Sequence, residues 1–344
     1  MASTPPPTSS SPANSARKVF TVGTRKSKLA LSQTDLVVGA LRKIWPDYTF
    51  NIHSQETAGD QNTTIALREF TTKNLWTQEL EELLMAGQVD FIVHSLKDVP
   101  TLLPPLCTLA PTMKREDSRD VLVIKKGLPN MSLSEMPAGS VVGTSSIRRT
   151  AQLARRYPHL KIMDVRGNIG TRLAKLDAED SPYTCIILAA AGLLRLDLQD
   201  RISQYLDSKN GGMLYAVGQG ALGIEIRKDD QIMHDMLRRI SDEDATYACW
   251  AERSLLRTLE GGCSAPLGVE TEWVQLPDGS RKLRMRSIVV SVDGNEEAKI
   301  EIDGAVDSAQ SAEEFGVMVA KELVVKGAGK ILEDIQQNKL KQTS

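Results

Sequence analysis

The chain has 344 residues, of which 41% are hydrophobic and 25% are charged, and its formal net charge is -2. This length is too great for one ordinary domain, and the composition is typical of folded globular domains. The near-zero net charge excludes binding of anionic partners through overall charge, so an anion site must arise from local placement of Lys and Arg. The four cysteines (Cys107, Cys185, Cys249 and Cys263) show no CxxC spacing, which predicts reduced thiols and neither disulfides nor a zinc site.

The first 16 residues differ in composition from the rest of the chain. They are rich in Pro and Ser and carry no charged side chain, which predicts a disordered tail. They lack the apolar core of a secretory signal, and no arginine of a mitochondrial presequence appears before Arg17. The longest apolar run, residues 185–194, is too short to cross a bilayer. We therefore expect a cytoplasmic protein with neither a membrane nor a nucleic acid as partner.

The first ordered segment predicts a strand that leads into a helix. An apolar run at residues 19–22 ends at Gly23, and apolar residues at helical spacing follow from Leu29 to Leu41. Further on, residues 48–57 alternate as a strand, and the next helix ends at Gly87. Residues 89–95 then form a buried strand in this prediction.

The middle of the chain repeats this order of elements. Residues 139–157 and 161–176 each contain a strand, a turn of small polar residues and a helix, and residues 184–196 are an apolar strand that runs into a helix carrying Arg195. The segment "VGTSSIRR" in the middle part is similar to "VGTRKS" near the start. Strands that alternate with helices indicate mostly parallel sheets, so we predict two related α/β domains.

The pattern changes after about residue 240. A helix is predicted to begin with a capping box of Ser241 and Asp244 and to end at Gly261 or Gly262. Residues 269–302 predict three strands joined by turns, and a long helix follows from about residue 311. This third domain is α+β, and Cys263 lies in the loop that leaves its first helix.

Basic residues follow the predicted strands in a regular way. Since ligands of open α/β sheets bind beyond the carboxyl ends of the strands, these residues predict a cleft lined with positive charge. Six cations are predicted at strand ends: Arg25, Lys97, Arg148, Arg149, Arg166 and Arg195.

Arg148 and Arg149 are predicted at a helix N-terminus, where positive charge is unfavourable. If Ser145 or Ser146 caps the helix, both arginines lie in its first turn, where each cation conflicts with the helix dipole by about 0.3–1 kcal/mol. An anionic ligand would remove that conflict by taking the free N–H groups and the guanidinium groups together. The alternative, for one such pair, is a solvated basic face.

Three other features leave alternatives open. Lys97 and Asp98 are either a weak loop ion pair or an anion site beside a carboxylate that faces developing positive charge or acts as a general acid or base. Gln219 lies between two glycines that permit a hinge or a close backbone approach. Cys263 is either buried packing or a reactive thiol. The four histidines have no ligand spacing, so we predict no metal site.

Three functions fit these residues. They are an enzyme acting on an anionic substrate, a two-lobed binding protein for a carboxylate ligand, and a thiol-dependent acyl transferase. The acyl transferase requires a base beside the nucleophile, and the sequence pairs no histidine with Cys263.

Seven segments in chain order carry a resemblance to a known family. Together they resemble the porphobilinogen deaminase (hydroxymethylbilane synthase) family from about residue 17 to residue 270. The segments are "VGTRKSKLALSQT", "VHSLKDVPT", "GTSSIRRTAQL", "VRGNIGTRL", "LAAAGLLRL", "YAVGQGALGIE" and "LEGGCSAPLG".

The resemblance implies a fold and an activity. The fold has two α/β domains like those of periplasmic binding proteins, residues 17–115 with 219–239 and residues 116–218, which flank a cleft. An α+β domain with a three-stranded antiparallel sheet follows at residues 240–344. The implied enzyme is a monomeric transferase of haem biosynthesis that joins four porphobilinogen molecules head to tail with loss of ammonia. Water then releases the linear hydroxymethylbilane.

The resemblance also implies roles for particular residues. A dipyrromethane cofactor would be bound through a thioether to Cys263 and would prime the chain, and Asp98 matches the catalytic aspartate of the family. The cofactor carboxylates would be held by Lys97, Ser145, Ser146, Arg148, Arg149 and Arg172. Substrate or the growing chain would be held by Arg25, Ser27, Gln33, Lys73, Ser95, Arg166, Arg195 and Gln219.

Overall fold

The computed structural model describes residues 17–57, 77–259 and 265–343. The elements of the first half are β1 (Val19–Arg25), α1 (Lys28–Ile44), β2 (Thr49–Gln55), α2 (Gln78–Met85), β3 (Phe91–Ser95), β4 (Cys107–Leu109), β5 (Asp120–Ile124), β6 (Val141–Gly143), α3 (Ile147–Arg156), β7 (Lys161–Met163) and α4 (Ile169–Asp177). Those of the second half are β8 (Cys185–Ala189), α5 (Ala190–Leu194), β9 (Gln204–Leu206), β10 (Leu222–Arg227), α6 (Gln231–Arg238), α7 (Glu243–Thr258), β11 (Leu267–Gln275), β12 (Arg281–Val290), β13 (Glu297–Gly304), α8 (Ala309–Val325) and α9 (Ala328–Thr343).

Two of the sheets have the same strand order. The first runs β2-β1-β3-β10-β4 and the second runs β7-β6-β8-β5-β9. In each sheet one strand, β10 in the first and β5 in the second, is antiparallel to both of its neighbours. Strand β10 enters the first sheet after all strands of the second sheet, whereas β5 is the first strand of the second sheet in chain order. The chain therefore crosses between the sheets twice, at residues 110–119 and 207–221.

We call the first sheet with α1, α2 and α6 lobe 1, and the second sheet with α3, α4 and α5 lobe 2. Their common order confirms the two related α/β units and the periplasmic-binding-protein-like class predicted from the sequence. The inverted strands β10 and β5 were not predicted, because apolar periodicity does not give the direction of a strand within its sheet.

The first helix of each lobe begins in the same way. Ser27 caps α1 through a hydrogen bond from the Ala30 N–H at 3.2 Å, and Ser146 caps α3 through one from the Arg149 N–H at 3.5 Å. Each cap follows the central parallel strand of its sheet, β1 or β6. Such caps satisfy backbone donors that a helix start leaves free. Both helices therefore direct their N-terminal turns toward the carboxyl edge of their sheets.

Apolar residues on these helices and strands form the cores of the lobes. In lobe 1, Phe20 and Val22 of β1 pack with Val37 and Leu41 of α1, and all four are buried. In lobe 2, the strands β5 and β8 are buried along almost their whole length and share two core clusters, one on each face of the sheet. Burial on both faces explains why these strands are continuous apolar runs in the sequence.

The C-terminal unit is the antiparallel sheet β11-β12-β13, covered by α7, α8 and α9. Its two hairpin turns fall where the sequence predicts them, with Gly279 and Gly294 in the left-handed region at φ 82° and 78°. The predicted α+β unit with three antiparallel strands is confirmed.

Two details of the sequence prediction were wrong. Asp242, and not a Ser241–Asp244 capping box, caps α7 by accepting from the Ala245 N–H at 2.8 Å. Ser241 donates instead to the carbonyl of Arg238 at the end of α6. The long C-terminal helix is two helices, because the chain turns at Gly327, where φ is 106°. Within residues 17–57, 77–259 and 265–343, no helix combines the length and the apolar character that crossing a membrane requires.

Candidate active site

The two lobes meet along the second crossing of the chain. Gln219 lies in this crossing and is 1% exposed. Its amide nitrogen donates to Asp120 Oδ1 at 2.9 Å and to the Ser118 carbonyl at 2.8 Å, both in or beside β5 of lobe 2. Its amide oxygen accepts from Lys97 Nζ of lobe 1 at 3.4 Å. One buried side chain thus connects polar groups of both lobes.

Asp120 is the centre of the charged groups in lobe 2. It is fully buried at the start of β5, where it accepts from Arg148 Nη1 at 2.7 Å and from Arg149 Nη2 at 2.7 Å. Burial acts to raise the pKa of Asp120, but the two guanidinium groups outweigh it and hold that pKa well below its usual range. Asp120 is therefore ionised in the folded protein.

This carboxylate corrects one expectation. The conflict between Arg148, Arg149 and the dipole of α3 was expected to be relieved by an anionic ligand, but Asp120 supplies the anion. The two arginines are also held by backbone oxygens, Arg148 by Leu214 at 2.6 Å and Arg149 by Ile187 at 2.6 Å. Their side chains are fixed before any ligand binds.

Lys97 and Asp98 lie in a 3₁₀ turn, Leu96–Asp98, that follows β3. Burial lowers the pKa of Lys97 to about 8, with the charges of Arg149 and Arg148 adding to the fall and those of Asp98 and Asp120 opposing it. The turn of lobe 1 therefore lies within electrostatic reach of the arginines of lobe 2. Lys97 changes its charge near neutral pH, which an ordinary lysine does not.

Three arginines of the cleft retain hydrogen-bonding capacity. Arg148 Nε, Arg166 Nη1 and Arg195 Nε are buried, and none has an acceptor among the described residues. A buried N–H without a partner is costly, by about 1–3 kcal/mol. Donors that converge in this way suit a ligand rich in carboxylate groups.

Arg166 and Arg172 extend the positive surface of lobe 2. Burial lowers the pKa of Arg172 to about 10, and the charges of Arg149 and Arg166 contribute to this fall. Arg172 Nε donates to the Gly167 carbonyl at 2.7 Å, which holds the side chain over the turn after β7. Ser145 donates to the Val165 carbonyl at 2.6 Å, so it joins the same turn to the start of α3.

The sequence suggested that Arg195 directly follows a strand, but in the structure it does not. The short helix α5 separates it from β8, and Arg195 is the C-cap of that helix. Its Nη2 donates to the Gly220 carbonyl of the crossing at 2.7 Å, and its own carbonyl accepts from Ser32 of α1 at 2.9 Å. Arg195 is thus a contact between lobe 2, the crossing and lobe 1.

Lobe 1 contributes neutral groups to the site, besides Arg25, Lys97 and Asp98. Gln33 of α1 is buried, and its amide nitrogen donates to Ser95 Oγ at 2.8 Å, at the end of β3. Ser27 is occupied as the cap of α1. Arg25 is the last residue of β1 and is partly buried. The structure therefore places Arg25, Ser27, Gln33 and Ser95 along one edge of the sheet.

The C-terminal unit is fixed to both crossings. Glu252 of α7 is fully buried and accepts from Arg115 Nη1 at 2.7 Å and from the Gly218 N–H at 2.8 Å. Arg115 also donates to the Gln219 carbonyl at 2.8 Å. Gly220, at φ 86°, lies against the first crossing, where a Cβ would collide with the Glu116 carbonyl. The predicted close backbone approach at these glycines is confirmed.

Two residues singled out from the sequence, Lys73 and Cys263, lie outside the described residues. The three described cysteines are buried and free, and burial raises the pKa of Cys107, Cys185 and Cys249 to about 12 in each case. Thiols with such pKa values are poor nucleophiles at neutral pH.

Sequence reasoning missed the polar groups that organise the site. Asp120 had a detectable signal, because a carboxylate at the start of the apolar strand "DVLVI" must be buried and therefore paired. The Arg115–Glu252 pair had none, since its partners are separated by 137 residues and neither belongs to a motif.

Taken together, these features define a class of protein. It has two α/β lobes joined by two crossings, a cleft edge rich in arginine, and a carboxylate, Asp98, on the opposite lobe. This is the architecture of an enzyme that acts on a polycarboxylate substrate.

Comparison with known proteins identifies the family. The model of "Porphobilinogen deaminase, dipyromethane cofactor binding domain" matches residues 20–235, and that of "Porphobilinogen deaminase, C-terminal domain" matches residues 246–325. The porphobilinogen deaminase of Yarrowia lipolytica is 52% identical over 329 residues, covering 94% of this chain and 95% of the relative. That of Saccharomyces cerevisiae is 46% identical over 325 residues, covering 93% and 98%.

The chain belongs to the porphobilinogen deaminase family. Membership confirms the transferase activity predicted from the sequence, hydroxymethylbilane synthesis, and decides against a non-catalytic binding protein and an acyl transferase. Among solved structures, the BenM effector binding domain with its effector benzoate is 14% identical, covering 72% of this chain and 95% of that chain with a TM-score of 0.38. That similarity is too low to add to the fold assignment made from strand order.

Proposed function

We propose that this chain condenses four porphobilinogen molecules at the cleft between its lobes, with lobe 2 holding carboxylates and lobe 1 supplying the catalytic carboxylate. The observation that carries this division is the set of buried, unpartnered guanidinium N–H groups in lobe 2, together with the electrostatic interaction of Arg172 with Asp98 of lobe 1. Porphobilinogen carries an acetate and a propionate on each pyrrole, so a growing chain gains two carboxylates at every step. A cluster of fixed guanidinium donors suits such a ligand better than a single ion pair would.

The dipyrromethane cofactor fits residues of lobe 2 together with Lys97 of lobe 1. The free donor of Arg148, together with Arg149, Arg172, Lys97, Ser145 and Ser146, would hold its carboxylates. We propose Cys263 as the point of covalent attachment. Support comes from the family model, which is that of a dipyrromethane-binding domain, and from the high pKa of the three described thiols. When bound, this group supplies the pyrrole carbon to which the first substrate is joined.

Asp98 is the proposed catalytic residue. When the C–N bond of porphobilinogen breaks, ammonia leaves with the electron pair and positive charge develops on the pyrrole ring. A carboxylate at the pyrrole N–H stabilises that charge most strongly in the transition state, which is how an electrostatic group accelerates a reaction. Asp98 lies in the 3₁₀ turn at the end of β3, in which the Val99 N–H donates to the Leu96 carbonyl.

The remaining residues are proposed to bind substrate. Arg166 and Arg195 have buried donors available for carboxylates on the side of lobe 2. On lobe 1, Ser95 and Gln33 offer neutral hydrogen bonds at the edge of the sheet. The full proposed set for substrate is Arg25, Ser27, Gln33, Lys73, Ser95, Arg166, Arg195 and Gln219.

The enzyme is proposed to act as a monomer in the cytoplasm. Its proposed domains are residues 17–115 with 219–239, residues 116–218, and residues 240–344. The free, buried cysteines among the described residues support a reducing compartment. Light scattering coupled to size-exclusion chromatography gives the oligomeric state directly, and a dimer at working concentration would contradict the proposal.

Intact-mass measurement tests the site of attachment. We expect the purified protein to be heavier than its sequence by one covalently bound dipyrromethane group and to give a positive pyrrole colour reaction. Cys263→Ala should remove both signals and all activity. Cys185→Ala is the matched control, since it deletes another thiol and should leave the adduct in place. An adduct that persists in Cys263→Ala would overturn the assignment.

A further inference from the structure

A cluster of buried ionisable groups lies in lobe 1, behind the turn that carries Asp98. Glu81 of α2 is 2% exposed, His94 of β3 is 6% exposed and Glu225 of β10 is fully buried. His94 Nε2 lies 3.1 Å from Glu225 Oε2. The catalytic scheme uses none of these residues, and a buried charge without such a use requires a structural explanation.

The charges in this cluster do not balance. Glu81 and Glu225 are two carboxyl groups, and His94 is the one base among the described residues that lies between them. Arg227 is at the margin, where it is occupied by Asp230 at 2.6 Å and Asp90 at 3.5 Å. The other ionisable neighbours are Cys107 of β4, which bonds to Glu225, and Glu79 and Glu82 of α2. None of these can neutralise a second buried carboxylate.

The hydrogen-bonding pattern agrees with this excess of buried carboxyl groups over bases. Glu81 Oε1 and Glu225 Oε1 are both buried, and neither has a partner among the described residues. Burial raises the pKa of Glu81, the Thr77 hydroxyl opposes this rise, the charge of Glu225 adds to it, and the charge of His94 opposes it. A carboxyl group in such a position keeps its proton more readily than one in water.

We propose that Glu81 retains its proton in the folded protein and that this neutral carboxyl group, with the His94–Glu225 pair, locks α2 onto β3 and β10 behind Asp98. Helix α2 packs on β1, β3 and β10, and β3 leads directly into the turn that carries Lys97 and Asp98. Glu81, His94 and Glu225 are therefore positioning residues, since they act on the site through the strands and do not touch substrate.

The sign of the pH dependence follows from the protonated state. An acid that binds its proton more tightly in the folded chain than in the unfolded chain contributes stability at low pH. That contribution is lost as pH rises through the folded-state pKa, because two carboxylates then face one imidazole in the core. Alkaline pH should loosen α2, and acid pH within the stable range should not.

Infrared spectroscopy of the full-length enzyme tests the protonation state. At neutral pH we expect a carbonyl-stretch band of a protonated carboxyl group in the wild-type protein. It should be absent from Glu81→Gln, whose amide mimics the neutral acid, and present in Glu82→Gln, the control at the neighbouring exposed position of the same helix. A wild-type spectrum without this band, or a band that survives in Glu81→Gln, would overturn the proposal.

Thermal unfolding against pH tests the consequence. Between the unfolded-state and the folded-state pKa values of Glu81, the unfolding equilibrium constant of the wild type should rise by up to about tenfold per pH unit relative to Glu81→Gln and should then level off, and Glu82→Gln should follow the wild type. At neutral pH, the kcat of Glu81→Gln should lie within about twofold of the wild-type value. At alkaline pH, its kcat should decline less than that of the wild type. A difference between Glu81→Gln and wild type that is the same at every pH would show a packing role alone and would refute the lock.

Discussion

The two lobes share one strand order but carry different chemistry at equivalent edges. Both begin with a parallel strand, a serine cap and a helix, through Ser27 in lobe 1 and Ser146 in lobe 2. After its cap, α3 of lobe 2 places Arg148 and Arg149 against Asp120. At the corresponding place in lobe 1, the first turn of α1 contains no acidic residue and no pair of arginines. The common fold supplies two matching positions, and the side chains there assign each lobe its role.

The lobes also differ in how they stabilise their polar groups. Lobe 2 buries two guanidinium groups around one carboxylate, so the loss of that carboxylate leaves charges without compensation. Lobe 1 joins Gln33 to Ser95 by neutral hydrogen bonds and places Asp98 in a turn. Substitution of Asp120 in lobe 2 should therefore affect folding and cofactor loading, whereas substitution of Asp98 in lobe 1 should affect turnover.

Asp120→Asn should have the largest effect on stability. It removes the charge that neutralises two buried arginines, so we expect the free energy of unfolding to fall by about 3–5 kcal/mol. Chemical denaturation measures this loss, and intact mass should show incomplete cofactor loading. Asp117→Asn is the control, because that aspartate pairs with the more exposed Arg119. If Asp120→Asn left the stability unchanged, that result would contradict the claim that Asp120 neutralises the buried arginines of lobe 2.

Asp98→Asn should leave the fold and the cofactor intact while it reduces turnover. We expect kcat to fall about 10²–10³-fold, since the amide has no net charge to stabilise the cationic transition state. Steady-state kinetics, circular dichroism and intact mass together separate this outcome from misfolding. Asp35→Asn, at an exposed position of α1, is the control and should keep wild-type turnover. Near-normal kcat in Asp98→Asn would exclude Asp98 from the chemistry.

Lys97 should give the cleft a pH dependence near neutrality. With its pKa lowered to about 8, Lys97 is positive below that pH and neutral above it. Loss of the charge weakens the attraction for the cofactor carboxylates, so binding of the dipyrromethane cofactor to the apoenzyme should weaken roughly tenfold above this pKa. Lys97→Arg keeps its charge at higher pH, so this loss of cofactor binding should move to higher pH. Identical pH profiles of cofactor loading in the two proteins would contradict the assignment.

The two serine caps should give the smallest effects. Ser27→Ala and Ser146→Ala each remove one N-cap, which costs about 0.5–2 kcal/mol of unfolding free energy. The cap at Ser27 is shorter, at 3.2 Å against 3.5 Å, so we expect the larger loss there. Ser146→Ala should in addition lower cofactor loading, whereas Ser27→Ala should raise KM. The corresponding threonine variants keep the hydroxyl and should behave as wild type.

Local sequence patterns predicted most of the elements correctly. The alternation of apolar runs with small polar turns gave the two α/β units, and the glycine turns gave the three-stranded sheet of the C-terminal unit. Errors fell where neighbouring residues compete for one role. Asp242 displaced Ser241 as the cap of α7 because Ser241 is already bonded to the end of α6. Spacing alone does not reveal such competition.

The sequence by itself determined the positions of the cations, because each follows a strand or begins a helix, and the motifs determined the family. Only the tertiary structure decided how those cations are compensated. Asp120 reaches Arg148 and Arg149 because β5 is inserted next to β8 from the first crossing, and Gln219 reaches both lobes because the second crossing passes between them. Pairings of this kind join residues about 30 to 120 positions apart, and no local pattern encodes a partner at that separation.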